Sequence, residues 1–190
     1  MYTIYKTKAI VLSLSEYSDS CLIATLWTRD FGKIYARIQS GRKHISKIAG
    51  HTQVGNIITT DLIHGQYSWR LIGASTDISI FDEIRSRNLK PWLSILSHIR
   101  MFSHQSPSTG LFDQITLLRT EIGKLSNGKG TSLELLGIVL VLADAGYWPQ
   151  NPWNKDIMDM ADIPLTLKNI EKNKDEIQNQ IHEIVVGSYV

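Results

Sequence analysis

The chain has 190 residues, with 43% hydrophobic and 20% charged, which is ordinary globular usage and excludes a disordered chain. The single cysteine, Cys21, excludes an internal disulfide and a cysteine-built zinc site, and suits a reducing compartment. Net charge is only +2, but residues 1–75 carry nine Lys/Arg against four Asp/Glu, while residues 76–190 carry eleven against fourteen. A basic first half on a near-neutral chain points to a polyanion site there, set against simple charge scatter.

The first half reads as strands. Thr7–Ser15 alternates, with Ile10, Leu12 and Leu14 on one face, and Cys21–Thr28 follows with Leu22, Ala24 and Leu26 opposite Ile23, Thr25 and Trp27. Asp30-Phe31-Gly32 predicts a turn. Lys33–Gln39 then alternates strictly, Ile34, Ala36 and Ile38 against Lys33, Tyr35, Arg37 and Gln39. Beyond a basic loop, Ser40–Gly50, the stretches Gly55–His64 and Tyr67–Ala74 join at Gly65-Gln66 as a hairpin. Five short strands with one longer connection after the third match a small closed barrel of the OB type.

The second half changes period. Leu89, Trp92, Leu93, Leu96, Ile99 and Phe102 fall at helical spacing, with Pro91 in the first turn. After Ser106-Pro107-Ser108, a second stripe runs Leu111, Ile115, Leu118, Ile122, Leu125. Thr131-Ser132-Leu133-Glu134 is a capping-box pattern opening a helix to about Ala145, apolar nearly all round and therefore central. Gly146 stops it, and Leu167–Val186 predicts one charged final helix seamed by Ile170, Ile177, Ile181 and Ile184. The expected fold class is α+β multidomain: an OB-type barrel over residues 1–78 and an all-helical domain over 79–190. The longest apolar stretch, Leu133–Ala143, contains Glu134 and is far short of the roughly 20 residues that span a bilayer. The apolar run Ala9–Leu12 stops at Ser13, which is no signal-peptide layout, so the expected location is cytoplasmic.

Catalytic chemistry finds little to stand on. Gly123 to Lys129 is a near miss to a phosphate-binding loop, but Gly130 follows where a Ser or Thr hydroxyl would bind magnesium, and the segment follows a helix. His98 and His104 are six apart, the wrong spacing to share a helix face, and no Gly-x-Ser-x-Gly elbow occurs. No enzyme, metal or cofactor is expected. What remains is Lys33, Tyr35 and Arg37 on one strand face, followed by Arg42, Lys43, His44 and Lys47 in the loop. Single-stranded nucleic acid needs this mixture, because cations track phosphates while an aromatic face stacks bases. The plain alternative is an exposed strand beside a solvated loop. Trp69 and Arg70 alternate, so at most one shares that face.

These residues also carry a family resemblance. Lys8-Ala9-Ile10-Val11-Leu12, Glu16 through Leu26-Trp27-Thr28, Gly32-Lys33, Ser40-Gly41-Arg42-Lys43 and Ser46-Lys47 resemble the RecO recombination-mediator family of bacteria. Leu142 to Pro149 resembles that family's Leu-Gly-Tyr-x-Pro segment, so the resemblance covers roughly Lys6–Pro152. It implies an OB domain and a helical domain without turnover. It further implies binding of single- and double-stranded DNA, annealing of complementary strands, and cooperation with RecR and single-stranded-DNA-binding protein (SSB) so that RecA loads, at the nucleoid. By position, Lys33, Arg42, Lys43 and Lys47 become the expected DNA contacts, and strand geometry adds Tyr35 and Arg37. Two departures stand out: the chain lacks the cysteines of the zinc module many members carry, and the predicted helix Leu167–Val186 stands where members are longer. The acidic SSB tail calls for an apolar groove beside cations, yet Thr131–Ala145 has no Lys or Arg. A protein–protein adaptor built on the barrel, and an OB-type RNA-binding factor, are the other readings of the same face.

Overall fold

A computed structural model describes residues 2–19, 21–39, 48–66, 68–81, 89–124, 130–149 and 162–188. Alternation in the first half becomes five strands: β1 (Ile4–Ser18), β2 (Cys21–Thr28), β3 (Gly32–Gln39), β4 (Ile57–His64) and β5 (Trp69–Ile78). They close as β1-β2-β3-β5-β4, the connectivity of an OB-type barrel. Long β1 serves two partners, pairing with β4 through Ile4–Ile10 and with β2 through Ala9–Ser18. Neighbouring pairs are antiparallel except β3 and β5, which run parallel and register at Ala36–Trp69 and Arg37–Arg70. Gly32, at φ 65°, makes the β2–β3 turn that the sequence predicts.

Five helices are described after the barrel: α1 (Leu89–Phe102), α2 (Thr109–Lys124), α3 (Gly130–Asp144), α4 (Ile163–Lys172) and α5 (Lys174–Gly187). Apolar nearly all round, α3 is buried at every position from Ser132 to Leu142 except Glu134 and packs against the other four helices. It begins at Gly130, so Thr131 lies in its first turn rather than ahead of it. At its end Gly146 takes φ 80°, and the Tyr147 and Trp148 amides donate to the Leu142 carbonyl at 2.9 and 3.2 Å.

The single final helix expected over Leu167–Val186 is two. Asn173 breaks it: its backbone sits at φ −108°, ψ 21°, and its amide Nδ2 donates to the Asn169 carbonyl at 3.0 Å. Short polar side chains compete in this way with the helical ladder. The first of the pair also starts earlier, where the Asp162 carboxylate accepts from the Leu165 amide at 3.0 Å ahead of Pro164. The apolar seam nonetheless runs through both, since Ile170, Ile177 and Ile181 are buried.

Two apolar clusters organise the molecule. Inside the barrel lie Ala9, Val11, Ala24, Leu26, Ile34, Ala36, Ile38, Ile58, Leu62 and Leu71. The second cluster joins the barrel wall to the helices, because Ile10, Leu12, Trp27 and Ile57 point outward into the same core as Trp92, Ile99 and Phe112. Of the apolar face that alternation assigns to β1, Ile10 and Leu12 cover the junction, whereas Leu14, past a register shift between Val11 and Ser13, is exposed; Ala9 and Val11 fill the barrel. Polar ties reinforce it. Trp92 Nε1 donates to the Gly55 carbonyl at 3.0 Å, and Arg119 Nη2, fully buried, donates to the Ser79 carbonyl at 2.8 Å. Arg29 holds Asp113 of α2 through two hydrogen bonds of 2.9 and 2.8 Å. The Arg29 hydrogen bond and charge keep the Asp113 carboxyl below the usual carboxylate range.

Two outcomes follow from these contacts. A Cβ on Gly32 would overlap the carbonyl oxygens of Gln105 and Ser106, and φ 65° adds about 1–2 kcal/mol for an L side chain, so Gly32→Ala should lower the thermal midpoint clearly. Asp113→Asn should destabilise at neutral pH, where the ionised carboxylate contributes fully. Its deficit against wild type should close as pH falls through the depressed carboxyl range, where wild-type Asp113 is protonated as well. Denaturation midpoints taken down a pH series read both terms.

Candidate nucleic-acid interface

Strict alternation along β3 is realised in full: Ile34, Ala36 and Ile38 are buried while Tyr35, Arg37 and Gln39 are exposed. Near the other end of the strand, the helices cover the wall at Trp27, and Lys33 stands at that edge. Its Nζ donates to the Arg100 carbonyl at the end of α1 at 3.0 Å. Partial burial and the nearby Arg100 charge push the Lys33 ammonium below the usual lysine range. Lys33 therefore rims the open face rather than standing within it.

Tyr35 and Arg37 do share that face, and three residues join them. Tyr17, 55% exposed near the end of β1, is the residue at a register shift between Glu16 and Ser18. Its ring centroid is 4.7 Å beneath the Arg37 guanidinium, and its hydroxyl accepts from Arg37 Nη2 at 3.3 Å. Arg70 registers directly with Arg37 across the parallel seam, and its Nη2 donates to Gln39 Oε1 at 3.2 Å. Of the alternating pair on β5, Arg70 is thus the member on this face. Trp69 turns instead to a ring cluster with Phe31, Tyr5 and His64, at centroid distances of 5.0, 5.6 and 4.6 Å. Among the described residues, no carboxylate comes within 4.0 Å of Arg37 or Arg70.

Arg42, Lys43, His44 and Lys47 lie outside the described residues, as does most of the segment Gly123–Lys129. Gly123 and Lys124 close α2, and the Lys124 ammonium is committed to Glu121 at 2.8 Å. Among the described residues, no three His, Cys, Asp or Glu are grouped to hold a metal. None of their helices is long and apolar enough to cross a membrane. Sequence alternation ends at Ser15, short of the irregular end of β1, and so does not reach Tyr17. Its signal was the unpaired aromatic two residues further on.

A family model for the recombination protein O N-terminal region matches residues 1–69, the whole of β1 to β4. The chain is 40% identical over 55 residues to the DNA repair protein RecO of Chlorobium limicola, covering 29% of this chain and 21% of that protein. It is 28% identical over 148 residues to the DNA repair protein RecO of Dehalococcoides mccartyi, covering 77% of this chain and 58% of that one. Residues 1–69 are thus similar to the N-terminal region of RecO proteins. The RecO of Pelodictyon phaeoclathratiforme matches at 34% over 74 residues, 39% of this chain and 28% of that protein. These alignments thus span about a fifth to three-fifths of the length of the curated RecO proteins. The broadest reaches well past the barrel, since 148 residues exceed the 78 that end with β5.

Tyr35 is 55% exposed and belongs to neither apolar cluster, whereas Trp69 packs against the barrel core. Tyr35→Ala should therefore change stability by no more than about 0.5 kcal/mol, the usual bound for surface sites. Trp69→Ala should cost clearly more. Chemical denaturation of the two variants gives the comparison.

Proposed function

We propose that this chain is a member of the RecO family and acts as a DNA repair and recombination mediator. It binds single-stranded DNA on the open face of its barrel, anneals complementary strands, and assists RecA loading together with RecR and SSB. Double-stranded DNA is held by the same cations, and no bond is made or broken. The observation that carries this reading is the exposed face of Tyr17, Tyr35, Arg37 and Arg70, its guanidiniums without carboxylate partners among the described residues. Such a face suits a flexible polyanion whose bases offer π-surfaces. The names of the RecO relatives, DNA repair proteins, support the same role. Arg42, Lys43 and Lys47 follow Gln39 in the next eight residues of the chain, and we assign them phosphate contacts. Lys33, held to Arg100, contributes at the rim of the face.

The test is strand annealing without ATP. SSB-coated complementary strands at moderate salt should pair faster with this protein than with a peptide of equal charge, with no cleavage product. Annealing is limited by repulsion between phosphate backbones, which a basic face relieves. Changing Arg42, Lys43 and Lys47 together to Ala should reduce the salt slope of single-strand binding by about 2, at roughly 0.7 per phosphate. Tyr35→Ala should cost about 1–3 kcal/mol of affinity if one base stacks there. Unchanged affinity and slope would favour a protein-binding barrel, and a preference for RNA oligomers an RNA-binding one.

A further inference from the structure

The parallel seam between β3 and β5 is short, and it places two cations side by side. Arg37 and Arg70 are direct partners in its register. Neighbouring strands lie about 4.8 Å apart, and like charges at directly opposed positions destabilise a sheet. A structural pair of this kind ordinarily recruits a carboxylate. Here none lies within 4.0 Å among the described residues. Each guanidinium is instead steadied by a neutral oxygen: Arg37 by the Tyr17 hydroxyl at 3.3 Å and Arg70 by Gln39 Oε1 at 3.2 Å. Each contact engages one Nη2, and a guanidinium carries five N–H donors in a planar fork. Two forks are therefore held in place, charged and largely unspent.

We infer that Arg37 and Arg70 together form a fork for one phosphodiester of a single strand crossing the β3–β5 seam, with Tyr17 and Gln39 as positioning residues. This rests on the reading given under Proposed function and names the contact within it. A phosphate answers the observed features because its two free oxygens accept from both guanidiniums and its charge offsets their repulsion. Tyr17 under Arg37 fixes the plane of the guanidinium by cation–π contact, and a base adjoining the phosphate stacks on its outer side. Tyr35 lies two residues back along the same face, roughly 7 Å away at strand rise, so the next base has an aromatic surface. The fork fixes where the strand crosses the barrel; the cations of the following loop fix how tightly it is held.

The experiment uses the full chain, a short oligothymidylate and inorganic phosphate. Arg37→Gln and Arg70→Gln should each weaken oligomer binding and lower its salt slope. Because both serve one phosphate, the double variant should lose less than the product of the two single fold-changes. Without DNA at low salt, each single variant should melt no lower than wild type, since it removes a repulsion. Millimolar inorganic phosphate should then raise the wild-type midpoint more than that of either variant. Arg37→Lys keeps the charge but loses the planar fork, so it should weaken binding with the slope intact. Tyr17→Leu should do the same, which separates a positioning role from a charge role. Multiplicative losses in the double variant, or equal phosphate stabilisation of wild type and variants, would overturn the fork. If the Arg42, Lys43 and Lys47 variant still lowers the slope in that case, the DNA-binding reading stands without it. If wild type binds no oligomer, the reading itself fails.

Discussion

The structure depends on a stretch of barrel wall that is buried on both sides. Ala9 and Val11 fill the barrel, while Ile10 and Leu12, alternating with them, enter the core shared with the helices. Trp27 does the same on the next strand, packing on Phe112 at a centroid distance of 5.2 Å. A small barrel has little interior, and the apolar area it buries alone is modest. Seating the helices against its outer wall roughly doubles the use made of β1 and β2. It also decides where a ligand can reach, since the covered end of the sheet is closed to solvent. The far ends of β1 and β2, with β3 and the start of β5, keep an open outer face.

Charge is distributed along the same division. At the junction, cations are matched: Arg29 meets Asp113 in a bidentate pair and the Lys33 ammonium meets a helix-terminal carbonyl. A helix C-terminus favours a cation, so the Lys33 contact complements α1 as well as joining it to the barrel. On the open face, among the described residues, the matching stops. Arg37 and Arg70 meet a phenol and an amide, neutral groups that orient without neutralising. The contrast within one sheet, only a few residues apart along β3, separates cations that hold the fold from cations held ready.

Most of this was legible where a single periodicity ruled. β3 alternates strictly because one side faces the barrel and the other water, so its exposed residues could be named from the sequence. The apolar run Ala9–Leu12 was ambiguous, because burial on both sides erases the contrast that alternation relies on. Arg70 could not be assigned to the Tyr35 face before closure was known. A parallel pairing of the third and fifth strands is a non-local fact, and only two register pairs express it. Asn173 shows the opposite failure: the apolar seam continues from Ile170 to Ile177 across the break, so periodicity hid a change of helix that local hydrogen bonding decides. The cations of the basic loop, the strongest compositional signal, lie outside the described residues.

A protein that brings complementary strands together faces two opposed demands. It must neutralise backbone charge closely enough to lower repulsion, yet leave the pairing edges of the bases unclaimed. Hydrogen-bonding side chains aimed at those edges would hold one strand too specifically to release it into a duplex. The open face of this barrel is suited to the first demand and spare in the second. Its rings, Tyr17 and Tyr35, offer π-surfaces, and its amide, Gln39, already accepts from Arg70. Stacking and phosphate contact grip every sequence alike and compete with none of the Watson–Crick edges. The more of the amide's capacity Arg70 takes, the less remains to read a base. On the proposed reading, weak sequence preference would follow from how the arginines are supported.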